Sequence, residues 1–574
     1  MLHRSLGVVK RIVFASILLF FVVGGSSGGR DYRDEWIAKD GTLDGLARVL
    51  NDPANREMFN NWQGSMNDTQ HFLQALEPWI LSSPTAKLVF PKPRYVNGNG
   101  VHCSDPMYEN VLTGHRQAAR ETLIIDFVPF GYDVDKLLLR FAETWDSVDV
   151  FVVYEMPYTL LGIPKPLYFP RIREQARFKR FESKIMFLVG GDQDSPEREW
   201  SLERVAGITR YETDKWVKEK KKDTAARLVG KSRYGAGKAV GNKGSEYLPK
   251  TLYLMMYAFD SDIVRLFKLF PSSMDGIDVT SGRPYDGYEG GFDDPHFKTS
   301  VALKGKIVEA MNGHGVQVLG IQNDGDEIVR GHILAHLKHC EVKKEVLSIY
   351  APCYSYKNNF YWLQATHDMK HFGSGIKARS ERYKTFGLIM ANAWLRGKVG
   401  HRNNELNAYL WHAGPFLWPL SEMLNGNSGN GSVLRRNYTN NLYNSYHMGY
   451  GAAFHLSAVN DPAEVWMKAC GTVENVDVCW RSISDDIVRA GATGSITPQM
   501  IYDATIKPWC SPDNPVTHVD ELHKMSREAV MDAIPSVVRD NPAYFPFIYP
   551  RPGLRSTGLF EKCASKKWRD ECQE

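Results

Sequence analysis

The chain predicts an α/β fold with a mostly parallel central sheet. Three observations carry that reading: apolar runs at Leu123–Val128, Val148–Tyr154 and Lys184–Val189, an amphipathic stretch between the first two, and the same alternation resuming after residue 300. Strand–helix–strand alternation requires parallel pairing with crossover helices.

Each element has its own signal. Leu123–Val128 (LIIDFV) is almost unbroken in apolar character, as a strand covered on both faces must be. Val134, Leu137, Leu138, Phe141 and Trp145 fall on one helical stripe. A helix around Val301–Met311 leads to a strand at Val316–Ile321, an acidic turn, a helix through Ile328–His339 and a strand at Val346–Tyr350. Asp461-Pro462 opens another helix, with Asp as cap and Pro in the first helical position. The last helical pattern lies around Arg527–Arg539. Before all of these, residues 29–115 are rich in Asn, Asp, Pro and Gly and read as a stem and lead-in, with order beginning at Glu121.

Composition narrows the class. The 574 residues are 43% hydrophobic and 24% charged, which excludes a wholly disordered, collagenous or coiled-coil chain. A net charge of +4 leaves no footprint for nucleic acid, whose binding domains concentrate positive charge against phosphates. Lys215–Lys243 holds ten basic and two acidic residues. Its GAGKAVG stretch has no strand before it and no GK[ST], so it reads as a solvated basic insertion rather than a phosphate loop.

The N-terminus implies translocation. His3, Arg4, Lys10 and Arg11 precede the apolar run Ile12–Val23, and GGSSGG follows. Residues 1–11 then form a cytosolic tail and 12–28 a signal anchor, or a cleaved signal peptide. Sequons at Asn67, Asn430 and Asn437 and eight cysteines suit a lumenal or extracellular body; Cys470/Cys479 and Cys563/Cys572 are spaced for local loops.

Chemistry concentrates in VQVLGIQNDGDEIVRGHIL. Asp324 and Asp326 flank Gly325 on a turn behind a strand, an arrangement that holds one hard divalent cation, Mn²⁺ or Mg²⁺, with positions left for phosphate oxygens. The Gly reads as removing bulk from the approach, and Glu327 as a first-turn residue complementing a helix dipole. The alternative for the whole turn is a cap without metal. Glu155 ends the second strand, where parallel sheets form their ligand crevice, so it is a candidate for a nucleotide base or ribose. His455, after an apolar segment, is a candidate metal or phosphate ligand. Asp461 and Glu464 are weak candidates for a catalytic base, Asp461 being explained equally well as a cap. His332, His336 and His339 recur on one helical face beside Cys340, a rival zinc arrangement without an obvious fourth ligand.

The stretch LLLRFAETWDSVDVFVVYEMPYTLLGIPKPLYF, with the later IQNDGDEI, resembles glycosyltransferase family 17. Arg140-Phe141, Glu143, Val148-Asp149, Phe151–Val153, Glu155, Thr159, the Gly162-x-Pro164-Lys-Pro166-Leu turn and Asp324-x-Asp326-Glu327-Ile328 carry the resemblance. GYGAAFHLS at 449–457 and the C-terminal SVVRDNPAYFPF add weaker matches. The resemblance implies a GT-A-like nucleotide-sugar-binding fold over 116–552, with insertions at about 200–298 and 365–445 and a tail at 553–574. It also implies a Golgi or endoplasmic-reticulum enzyme of single-pass type II topology, secreted if the N-terminal segment is cleaved. Its partners are a UDP-sugar donor, UDP-GlcNAc, an N-glycan or glycoprotein acceptor, and the membrane. The reaction would proceed with inversion and metal assistance. The competing readings are an inactive glycan- or nucleotide-sugar-binding protein of the same fold and a glycoside hydrolase, whose paired carboxylates need no metal.

Overall fold

A computed structural model describes residues 43–95, 98–105, 108, 111–115, 121–159, 163–189, 294–313, 315–322, 324–343, 349–350, 353–357, 360–363, 416–420, 446–447, 452–456, 461–471, 479–480, 482–505 and 535–548. The N-terminal run 12–28, the basic segment 215–243, Asn430, Asn437 and Cys563/Cys572 lie outside the described residues. Among the described residues no helix is long and apolar enough to cross a membrane.

The chain folds as a mixed α/β structure around a seven-stranded sheet. Its strands are β2 (Glu121–Phe130), β3 (Val150–Glu155), β4 (Ile185–Val189), β5 (Val316–Gln322), β8 (Ile349–Tyr350), β11 (Phe416–Pro419) and β12 (Tyr446–His447), in the order β12-β8-β11-β5-β2-β3-β4. Strands β5, β2, β3 and β4 run parallel. Strand β11 joins β5 antiparallel, which makes the sheet mixed rather than uniformly parallel. Every residue of β3 and β4 is buried, the condition under which a strand has no polar alternation to show.

Chain order along the parallel strands reverses between β2 and β5. From β2 the chain moves through α3 (Val134–Thr144) to β3 and on to β4; it returns through α4 (Pro295–Asn312) to β5 on the opposite side of β2. Such a reversal opens a crevice beyond the carboxyl ends of the two flanking strands. A smaller sheet borders that end, ordered β10 (Phe360–Leu363), β9 (Cys353–Lys357), β13 (Ala453–His455), β6 (Glu327–Val329). Helix α5 (Gly331–His339) follows β6 and packs on β2, so the expected single helix through Ile328–His339 is a strand followed by a helix.

The lead-in region carries more order than its composition suggests. Helices α1 (Leu43–Leu50) and α2 (Met66–Leu81) belong to the main core, with Phe72, Leu76, Trp79 and Ile80 fully buried. Helix α2 opens with a capping box in which Ser65 Oγ accepts from Asp68 N at 3.2 Å and Asp68 Oδ2 accepts from Ser65 N at 2.8 Å. Its partner is α6 (Pro462–Gly471), where Trp466 meets Phe72 edge to face. Asn67 is exposed on the first turn of α2, not on a loop.

Two disulfides tie the described chain. Cys470–Cys479 closes the expected local loop at the end of α6. Cys103–Cys340 joins residues 237 positions apart and fastens the lead-in to the strand β7 (Cys340–Val342), which pairs antiparallel with β1 (Leu112–His115).

Gly331 shows how closely α5 docks. A Cβ there would stand 2.3 Å from the backbone oxygen of Glu143. Helix propensity favours Ala over Gly by about 1 kcal/mol. A clash with fixed backbone outweighs it, so Gly331→Ala should destabilise the chain by about 1–3 kcal/mol in urea unfolding. An unchanged or raised midpoint would mean that α5 does not sit against α3.

Candidate active site

The acidic turn lies at the reversal point, directly after β5, and the segment Gly131–Asp133 leaves β2 beside it. Its position depends on a residue from neither segment. Arg140, on α3, places Nε 2.7 Å from Asp126 Oδ2 and Nη2 2.6 Å from Asp126 Oδ1, while Nη1 donates to the Asp324 carbonyl at 3.1 Å. Both side chains of the ion pair are almost wholly buried. A buried guanidinium bound bidentate holds its plane, so the third bond fixes where the turn begins.

The turn then closes on itself. Asp324 N donates to Glu327 Oε2 at 3.1 Å and Glu327 N to the Asp324 carbonyl at 3.1 Å. Leu456 N donates to the Asp326 carbonyl at 2.8 Å. Glu327 is therefore a buried β6 residue that ties the turn, not a first-turn helix residue. The role of Gly325 also differs from expectation. A Cβ at that position would lie 2.8 Å from the Pro129 carbonyl, so Gly is required by the close approach of β2.

Asp326 is matched by Lys468 of α6, whose Nζ is 2.5 Å from Asp326 Oδ2. Burial works to lower the Lys468 pKa, but Asp326, Asp133 and Asp324 overcome it and hold the ammonium at about 12. Burial, followed by the carboxylates of Asp133, Asp326 and Glu464, pushes the Tyr132 phenol well above its ordinary value. Around the turn, the carboxylates of Asp126 and Asp326 face the cations Arg140 and Lys468, while Glu327 accepts from the backbone of Asp324.

The other sequence candidates fall differently. Glu155 does end β3, but it is fully buried and accepts from Lys165 Nζ at 2.5 Å, Tyr168 N at 2.7 Å and Phe169 N at 2.8 Å. It organises the 163–169 segment from within, and burial raises its pKa. Asp461 caps α6 through Ala463 N at 2.9 Å and accepts from Trp79 Nε1 at 2.7 and 2.9 Å. Glu464 is buried near Asp135 N. The backbone register pairs His455 with Glu327 across β13 and β6, at the edge of the acidic turn; its side chain lies outside the described residues. Lys468 had no place among the sequence candidates. Its signal was only its position two residues before Cys470, which says nothing of the distant turn it meets.

The rival histidine arrangement does not assemble. Cys340 is in a disulfide, His336 Nδ1 contacts the His332 carbonyl at 2.7 Å, and His102 N donates to His336 Nε2 at 3.3 Å. Among the described residues no three His, Cys, Asp or Glu side chains are grouped to hold a metal.

Residues 102–222 match Glycosyltransferase family 17. A 107-residue stretch is 32% identical to "Beta-1,4-mannosyl-glycoprotein 4-beta-N-acetylglucosaminyltransferase" of Rattus norvegicus, covering 17% of this chain and 20% of that protein. The proteins of the same name from Homo sapiens and Mus musculus are 32% and 31% identical over the same length and shares. The chain thus spans about a fifth of the length of the curated relatives it matches. No solved structure matches it.

Desolvation, assisted by Arg330 and His336, lowers the His332 pKa from 6.5 to about 3. An unfolded imidazole titrates near 6.5, so the stability this neutral ring contributes is present above that pH and lost as pH falls towards 3. Unfolding free energy should fall by up to about 1.4 kcal/mol per pH unit in that interval. His332→Gln should flatten that dependence in urea titrations at pH 4–7; an unaltered slope would show that the ring is not held neutral.

Proposed function

We propose that the protein is a glycosyltransferase that moves GlcNAc from UDP-GlcNAc, with inversion, onto a hydroxyl of an N-glycan or related glycan. The observation that carries this is the Arg140-anchored acidic turn at the strand-order reversal, in a chain whose residues 102–222 match a glycosyltransferase family. A GT-A-like fold fits the parallel strands β5-β2-β3-β4 and the turn beyond β5.

The turn's oxygens suit a divalent cation. Asp324 and Asp326 supply hard donors two residues apart. Mn²⁺ or Mg²⁺ there, held by Asp324 and Asp326 with His455 as a further candidate, would neutralise charge on the departing diphosphate. The chain's own residues do the remaining work. Arg140 fixes the turn, and Gly325 lets it lie against β2. The acceptor oxygen attacks the anomeric carbon, the bond to the diphosphate breaks, UDP leaves as the anion, and the acceptor proton passes to a carboxylate base.

Two disulfides support residence in an oxidising compartment; we read it as the Golgi or endoplasmic-reticulum lumen with 12–28 as signal anchor, or as secretion if that segment is cleaved. One observation favours a second reading, binding without transfer: Asp461 is buried and committed to Ala463 N and Trp79 Nε1, so it is not poised as a base.

Asp326→Ala should abolish release of UDP from UDP-GlcNAc with mixed N-glycans and Mn²⁺, while the unfolding transition persists. Full turnover in the variant would remove the turn from the reaction. UDP binding by the wild type without any transfer would favour the second reading. EDTA-resistant hydrolysis of glycans would point to a glycoside hydrolase.

A further inference from the structure

Arg140 and Lys468 contact the acidic turn and Lys136 pairs with the nearby Asp133; the three are not equivalent. Arg140 is 1% exposed and committed to Asp126 by two hydrogen bonds. Lys136 is 0% exposed and bound to Asp133 at 2.8 Å. Lys468 is 24% exposed, and the carboxylate it contacts is that of Asp326 itself. Its backbone is well fixed: α6 is capped at Asp461, its end is tied by Cys470–Cys479, and Gly471 lies against Thr159 and Tyr132. The ammonium is carried on a flexible four-carbon stem.

We propose that Lys468 competes with the divalent cation for Asp326, and that the displaced ammonium then binds a phosphate oxygen of the diphosphate donor. This rests on the reading of the turn as a donor site. An ammonium and a divalent cation repel each other and draw on the same carboxylate, so each weakens the other's hold on Asp326. Without a second anion, moving Lys468 from Asp326 gives up a part-buried ion pair and opposes cation entry. A diphosphate supplies that anion. Cation and nucleotide therefore bind as a coupled pair, and each must tighten the other by the same factor.

The test is Mn²⁺ binding by the full chain, read as free Mn²⁺ by electron paramagnetic resonance, with and without UDP. In the wild type, UDP should tighten Mn²⁺ binding by about tenfold or more. Lys468→Met should bind Mn²⁺ alone about tenfold more tightly, bind UDP more weakly, and lose most of the coupling. Lys468→Arg, which keeps the charge, should behave as the wild type; Lys468→Gln provides the neutral comparison should the Met variant fail to fold. Mn²⁺ affinity and UDP coupling unchanged in the neutral variants would overturn the competition while leaving the donor site standing. No binding of Mn²⁺ or UDP by the wild type would overturn the donor site and the competition together.

Discussion

The site depends on the bond set of Arg140. Its guanidinium pairs with Asp126 inside the sheet and also holds the first carbonyl of the turn that follows β5. Removing one partner of a buried pair leaves a stranded charge, typically at a cost of about 3–5 kcal/mol. A buried pair is weak evidence for stability as such, because well-packed apolar residues of the same volume often do as well. What apolar residues cannot provide is the third hydrogen bond. One side chain on α3 thus couples the core of β2 to the placement of Asp324 and Asp326, and through Leu456 and Glu327 to the smaller sheet.

This arrangement explains which residues were legible in the sequence. Strands β2 to β5 could be read because burial on both faces leaves continuous apolar runs, and α6 because Asp461-Pro462 is a strong start signal. The polar residues of the family-like motif proved to be fasteners. Arg140 sets the turn, Glu143 accepts from Gly331 N and Ser536, Asp149 accepts from Ile124 N and Lys338, and Glu155 accepts from the 165–169 segment. Several of the partners are remote in sequence, such as Asp324 for Arg140 and Ser536 for Glu143, so a motif shows that such residues matter without showing what they touch.

Other features were hidden for definite physical reasons. The α2 capping box and the spacing of Phe72, Leu76 and Ile80 were present, but surrounding Asn, Asp and Gly made the region read as a stem. The break between β6 and α5 is set by sheet pairing with β13, a tertiary contact that local propensity does not encode. Gly325 and Gly331 look like ordinary turn glycines, yet each is demanded by a backbone oxygen from another element. Lys468 reaches the turn across 142 residues of sequence, beyond any periodicity or spacing argument.

The central claim is that the turn held by Arg140 is where a nucleotide diphosphate binds. Amide hydrogen exchange of the full chain, with and without UDP and Mn²⁺, tests it most directly, because it surveys the whole backbone without presuming a site. The account predicts added protection in peptides covering 131–133, 322–330 and 466–471, absent in Asp326→Ala. Protection confined to other regions, or equal protection in the variant, would contradict it.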